Sequence, residues 1–316
     1  MSRTVEVGSV WKAAAALALA GAGLASCAGA TAAPATAPAT PAGGSAASAA
    51  AAAAAPAPKA LMATSPDGTR IAYEMSGSGP ALILLSGPGQ NRKSWADRGY
   101  VERLSKRFTV ITPDPRGGGE SDKPRVPEAY ALDRVLEDIL AVADAAKVER
   151  FHIWGFGHGA TIGRYLAARS DRVISAVLVG AGMGPTVTGL TRDAIAGMRA
   201  KWQPLMEAER AGTLDQKGFS PGDRAAWAGG IGVSALALGA LLDYPPLEPA
   251  EIKAKTLWVV GGSDDSGVEN ARAYEEKLAG TAVTLKLLTG VTYSDSFGKS
   301  ELVLPEVEPF LAGSSS

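Results

Sequence analysis

Few side chains in this chain are equipped for covalent or acid–base chemistry, and their spacing gives them meaning. The sequence has two histidines, His152 and His158, and one cysteine, Cys27. Both histidines fall in the stretch 151–160, FHIWGFGHGA. An apolar run over 151–154 ends in Gly155, a turn with glycine at 155, 157 and 159 follows, and a helical pattern begins at Ala160. Strand, sharp turn, helix is the layout of a nucleophile elbow, whose middle residue carries the attacking oxygen or sulfur. That residue is Gly157, which offers no nucleophile. His152 lies within the strand and reads as a packed, hydrogen-bonded residue. His158 opens the helix, where the macrodipole disfavours its protonated form. It reads as a side chain beside a site, with general base as the sharper alternative.

The elements that must position these residues alternate. Residues 62–75 hold Pro66-Asp67-Gly68 between two short alternating runs, which predicts an opening hairpin. Continuous apolar runs at 81–85, 108–111, 151–154, 173–179, 256–260 and 283–288 predict strands buried on both faces. Helical patterns at 131–146, 160–170, 268–278 and 302–311 fall between or after them. This predicts an α/β fold, a mostly parallel sheet with helices on both faces. Residues 186–250 break the alternation. An amphipathic stretch at 191–209, Ser220-Pro221 as a helix start, and a small apolar stretch at 225–242 predict a helical cap or a small second domain.

This order of motifs resembles the α/β-hydrolase superfamily, in its esterase, lipase and epoxide-hydrolase-like branch, over about residues 60–312. Residues 65–73 resemble the family's first hairpin, and 114–122 its Asp-x-Arg-Gly-x-Gly-x-Ser-Asp loop. The resemblance implies that the strand before Asp264 delivers the triad acid, with Asp265 as a rival. It implies that Tyr293, after Gly290-Val291-Thr292, stands at the histidine position. The loop after the first long strand, usually His-Gly, begins Ser86-Gly87. Ser86, Gly87, Gly89, Gln90 and the backbone of His158 form the expected oxyanion-hole region. One of three triad positions, Asp264, is retained. Tyr293 is expected to fill the space left by the missing side chains, its hydroxyl bonded to Asp264. Asp264-Asp265 has no third ligand beside it, so no metal and no cofactor are implied.

A formal net charge of -1 and scattered Lys and Arg give no electrostatic case for nucleic acid. Arg3 and Lys12 precede an apolar run at 13–25 that is too short to span a bilayer. It ends in Leu24-Ala25-Ser26-Cys27, which resembles the lipobox of bacterial lipoproteins. The resemblance implies a signal over 1–27 with Cys27 acylated and a membrane anchor. A plain secretory signal with a chance cysteine is the alternative. Ala28 after the cysteine favours the outer membrane by the enteric rule, with the body facing the periplasm if the cell is Gram-negative. Residues 28–58 are almost wholly Ala, Pro, Thr, Gly and Ser, a disordered tether by composition. Residues 59–316 suit one domain, with the cap at about 186–250.

Three functions follow as expectations. The first is a non-hydrolytic envelope lipoprotein that binds a small ligand or an envelope protein. The second is an active hydrolase of an ester, epoxide or amide with a different site, its water activated by His158 or Asp264. The third is a structural partner of an active relative.

Overall fold

A computed structural model describes residues 60–215 and 218–314. The expected signal, lipidation site and tether lie outside the described residues. Eight strands form one sheet: β1 (Leu61–Thr64), β2 (Arg70–Ser76), β3 (Ala81–Leu85), β4 (Thr109–Pro113), β5 (Phe151–Phe156), β6 (Val173–Val179), β7 (Lys255–Gly261) and β8 (Val283–Leu288). Their spatial order is β1-β2-β4-β3-β5-β6-β7-β8. The β1/β2 and β2/β4 ladders are antiparallel, and all the others are parallel. The opening hairpin turns at Gly68, whose N–H donates to Ser65 O at 2.9 Å.

The strand side chains alternate between two cores, as the period of two requires. Ile83, Leu85, Ile111 and Ile153 face one core, while Leu82, Leu84, Val110 and Trp154 face the other. The first core is covered by α3 (Leu132–Ala145) and α4 (His158–Arg169). Leu132, Leu136, Ile139 and Val142 supply the buried stripe of α3. The second is covered by α1 (Lys93–Ala96), α2 (Tyr100–Leu104) and, at the chain's end, α9 (Asp295–Gly298) and α10 (Ser300–Ala312). Burial on both faces accounts for the unbroken apolar runs.

Between β6 and β7 stand α5 (Gly189–Arg210), α6 (Pro221–Ala228) and α7 (Ile231–Ala240). Ser220 caps α6 by accepting the Asp223 N–H at 3.0 Å. Trp202 of α5 stacks on Trp227 of α6 with ring centroids 6.1 Å apart. The apolar stretch 225–242 is divided at Gly229-Gly230, where Gly230 takes φ +97. After β7, α8 (Asp265–Tyr274) runs into a tighter turn over Glu275–Leu278, where the sequence pattern suggests one helix over 268–278.

Two boundaries at the elbow differ from expectation. β5 extends to Phe156 because Gly155 and Phe156 still pair with Leu178 and Val179 of β6. α4 starts at His158, so Gly157 alone joins strand to helix.

Candidate functional site

Gly157 has φ 54 and ψ −116, a conformation that residues with a Cβ hold only under strain. Gly159 is required for a different reason. A Cβ there would lie 2.0 Å from Leu85 O, so the helix could not pack against β3. The turn therefore keeps the geometry of an elbow, with only hydrogen at its tip.

Tyr293 reaches this tip from the loop after β8. A Cβ built on Gly157 would stand 2.6 Å from the Tyr293 hydroxyl. The ring lies 4.9 Å from Phe156 and closes over Gly180, where a Cβ would come within 2.7 Å of Cε2. Burial, with the charge of Asp264 adding to it, pushes the Tyr293 phenol up to about 12. It stays a neutral hydrogen-bond donor at physiological pH and a poor base.

The expected bond from Tyr293 to Asp264 is not formed. Asp264 caps α8 instead, accepting Ser266 Oγ at 3.0 Å and the Gly267 N–H at 3.2 Å. A helix N-cap competes for the same carboxylate oxygens. Asp265 is exposed on the first turn of α8. Tyr293 does occupy the space at the elbow, but as an aromatic filler rather than as a partner of the acid.

The loop Ser86–Gln90 follows β3. The Gly87 N–H donates to Gln90 Oε1 at 3.2 Å, and the Gln90 N–H to Gly87 O at 3.0 Å. Pro88 has no N–H. Gly89 takes φ +80, and its N–H has no backbone acceptor among the described residues. The His158 N–H opens α4 and so has no helical acceptor. Ser86 Oγ donates to Asn91 O at 3.3 Å.

The two histidines part company. His152 Nδ1 lies 2.8 Å from Ser175 Oγ within the sheet, as a packed strand residue should. His158 is half-buried, but both of its ring nitrogens are sealed from solvent and neither has a hydrogen-bond partner. Burial lowers each imidazole to about 4, with the charge of Arg150 adding to the effect at His152. His158 faces a cavity of about 30 Å³ whose lining also includes Ser86, Asp114, Tyr130, Ile139 and Tyr244. Gly157 and Tyr293 are not among the residues that line it. Among the described residues, no group of three or more His, Cys, Asp or Glu is placed to hold a metal ion.

A family model for the α/β-hydrolase fold matches residues 80–227. The chain is similar to a structure described as a bottromycin epimerase in complex with bottromycin A2 (TM-score 0.61, 25% identity, 82% of this chain and 100% of that one). It is also similar to one of a group described as epoxide hydrolases from hot-environment metagenomes (TM-score 0.62, 22% identity, 81% of this chain and 99% of that one). This is an α/β-hydrolase-fold protein. Among curated relatives, an uncharacterized protein of Mycobacterium tuberculosis is 37% identical over 40% of this chain and 34% of its own length. A 3-oxoadipate enol-lactonase of Acinetobacter baylyi is 30% identical over 35% of this chain and 42% of its own. The matched stretches thus span less than half of either relative.

In this α/β-hydrolase-fold protein the segment 114–122 is a buried electrostatic brace. The Asp114 carboxylate accepts the Arg92 backbone N–H at 2.7 Å, the Arg92 guanidinium, and the Glu120 N–H at 2.8 Å. Arg116 forks onto Asp138 of α3 with both contacts at 2.6 Å, and reaches Asp67 of the hairpin turn at 2.9 Å. The motif marks Asp114 and Arg116 in the sequence. Their partners Arg92 and Asp138 carry no such mark, nor do Tyr130 and Tyr244, which help to line the cavity.

Proposed function

We propose that this α/β-hydrolase-fold protein binds a small ligand or an envelope partner without hydrolysing it, held at the membrane through acylated Cys27. The observation that carries the reading is the place of the Tyr293 hydroxyl, 2.6 Å from where a side chain on Gly157 would begin. A tyrosine held neutral supplies a donor where a hydrolase needs a nucleophile and a base. Loss of either group in a serine protease costs about 10⁶ in turnover. The same fold occurs in a structure named an epimerase rather than a hydrolase, which accords with a site freed from hydrolysis.

The test is turnover of short and medium aryl esters by the wild type and by Asp264→Asn. Silence in both, together with ligand-dependent shifts in melting temperature, supports the binder. Wild-type turnover abolished by Asp264→Asn overturns it. Anchoring is tested separately by labelled-palmitate incorporation: label in the wild type and none in Cys27→Ser is the expected pair.

One observation favours the second reading, an active hydrolase with another site. His158 is a neutral imidazole with an unengaged acceptor beside the oxyanion-hole loop. Water activated by it would give ester turnover that survives Asp264→Asn and vanishes in His158→Phe.

A further inference from the structure

The cavity at His158 is distinct from the elbow tip that Tyr293 fills. Most of its wall is apolar, with Leu85, Val135, Ile139, Ile162 and Ala237 among its residues. Its other polar groups are already engaged. Tyr130 Oη donates to Pro124 O at 2.8 Å, and Tyr244 Oη to Tyr130 O at 2.9 Å. Asp114 pairs with Arg92, and Arg116 with Asp138. Ser86 Oγ donates to Asn91 O.

His158 is the exception. A neutral imidazole presents one N–H donor and one lone-pair acceptor. Here both are buried and both are unmet. Buried polar groups in folded chains are nearly always satisfied, by protein, by water or by a ligand. The volume of about 30 Å³ takes about two or three non-hydrogen atoms. It therefore suits the polar head of a molecule, with the remainder outside it.

We propose that the His158 ring is a recognition group for a neutral polar head, a primary carboxamide or an alcohol, which can meet a ring nitrogen in either tautomer, donating to the lone pair or accepting from the N–H. The proposal rests on the binding reading above and names the ligand class at that site. An ionised carboxylate fits worse. It can accept but not donate, and its charge would lose water against a largely apolar wall.

The experiment uses the full-length chain with ¹³Cε1-labelled histidine. The two histidines of the sequence give two ring signals, and His152→Asn assigns them. Propionamide, 1-propanol and propionate are titrated in turn at constant ionic strength. A saturable shift of the His158 signal with propionamide or 1-propanol, with His152 unmoved and propionate inert, is expected. His158→Gln keeps a donor and an acceptor and retains binding, measured by the melting shift. His158→Phe weakens it by about tenfold or more, as the loss of one hydrogen bond would.

A melting shift by propionamide of equal size in His158→Phe overturns the proposal. So does a His158 signal indifferent to all three probes, which leaves the cavity to water alone. Aryl-ester turnover is recorded in the same samples. Turnover that appears while the His158 shift persists sinks the binding-only reading and leaves the subsite standing.

Discussion

The hydroxyl of Tyr293 and the tip of Gly157 exclude any side chain between them, with 2.6 Å from that oxygen to the ideal Cβ. Two residues far apart in the chain thus form one packed unit. Glycine relieves the backbone strain at φ 54, and the tyrosine closes the space that glycine leaves open.

Gly157→Ser alone should therefore fail twice, by backbone strain and by collision with Tyr293. A loss of about 2–6 kcal/mol is expected, summing the two effects. Gly157→Ser/Tyr293→His removes the collision and should recover part of that loss. Denaturant unfolding of the three proteins checks the order. Aryl-ester turnover should appear in the double variant only.

The Tyr293 hydroxyl bonds to neither Asp264 nor Asp265, whereas the ring packs on Phe156. Tyr293→Phe should then leave stability within about 0.5 kcal/mol of the wild type. Tyr293→Ala should cost about 3 kcal/mol or more by opening a cavity. A large loss in Tyr293→Phe would reveal a hydroxyl bond that the geometry does not contain.

Stability should rise with pH between about 4 and 6.5. Both imidazoles are lowered from 6.5 to about 4 by burial. In that window the unfolded chain binds more protons than the folded one, so stability is fully present above it and drains away as pH falls through it. Each histidine contributes a slope of up to about 1.4 kcal/mol per pH unit. Unfolding free energies at several pH values within the window should show the slope, and His158→Leu should reduce it.

Arg116 and Asp138 form a buried fork, with the arginine 1% and the aspartate 3% exposed at the side chain. Arg116→Met strands the carboxylate and should cost about 3–5 kcal/mol. Arg116→Met/Asp138→Leu removes the stranded charge and should recover most of it. A double-mutant cycle by equilibrium unfolding measures the coupling.

Much of the fold was legible because burial on both faces writes itself as unbroken apolar runs. β3, β6 and β8 fall where those runs lie. The elbow was legible from three glycines, two of them dictated by close packing or backbone angle. The ends of β5 and α4 were not, since Gly155 interrupts the strand pattern and only pairing with β6 carries the strand on to Phe156. The expectation of a Tyr293–Asp264 bond rests on the family's histidine and acid positions. It lost to the α8 cap, a local competitor whose strength depends on where the helix begins. The unmet ring of His158 has no signature in sequence at all, because it is a property of the neighbours it lacks.

The contact between Gly157 and Tyr293 also sets an order on history. If a side chain once stood at position 157, tyrosine could not have taken its present pose while that side chain remained. On that premise position 157 lost its side chain before the tyrosine settled into this pose. Any return runs in reverse: position 293 must shrink before position 157 can grow. A chain that takes the steps in the other order passes through an unstable intermediate.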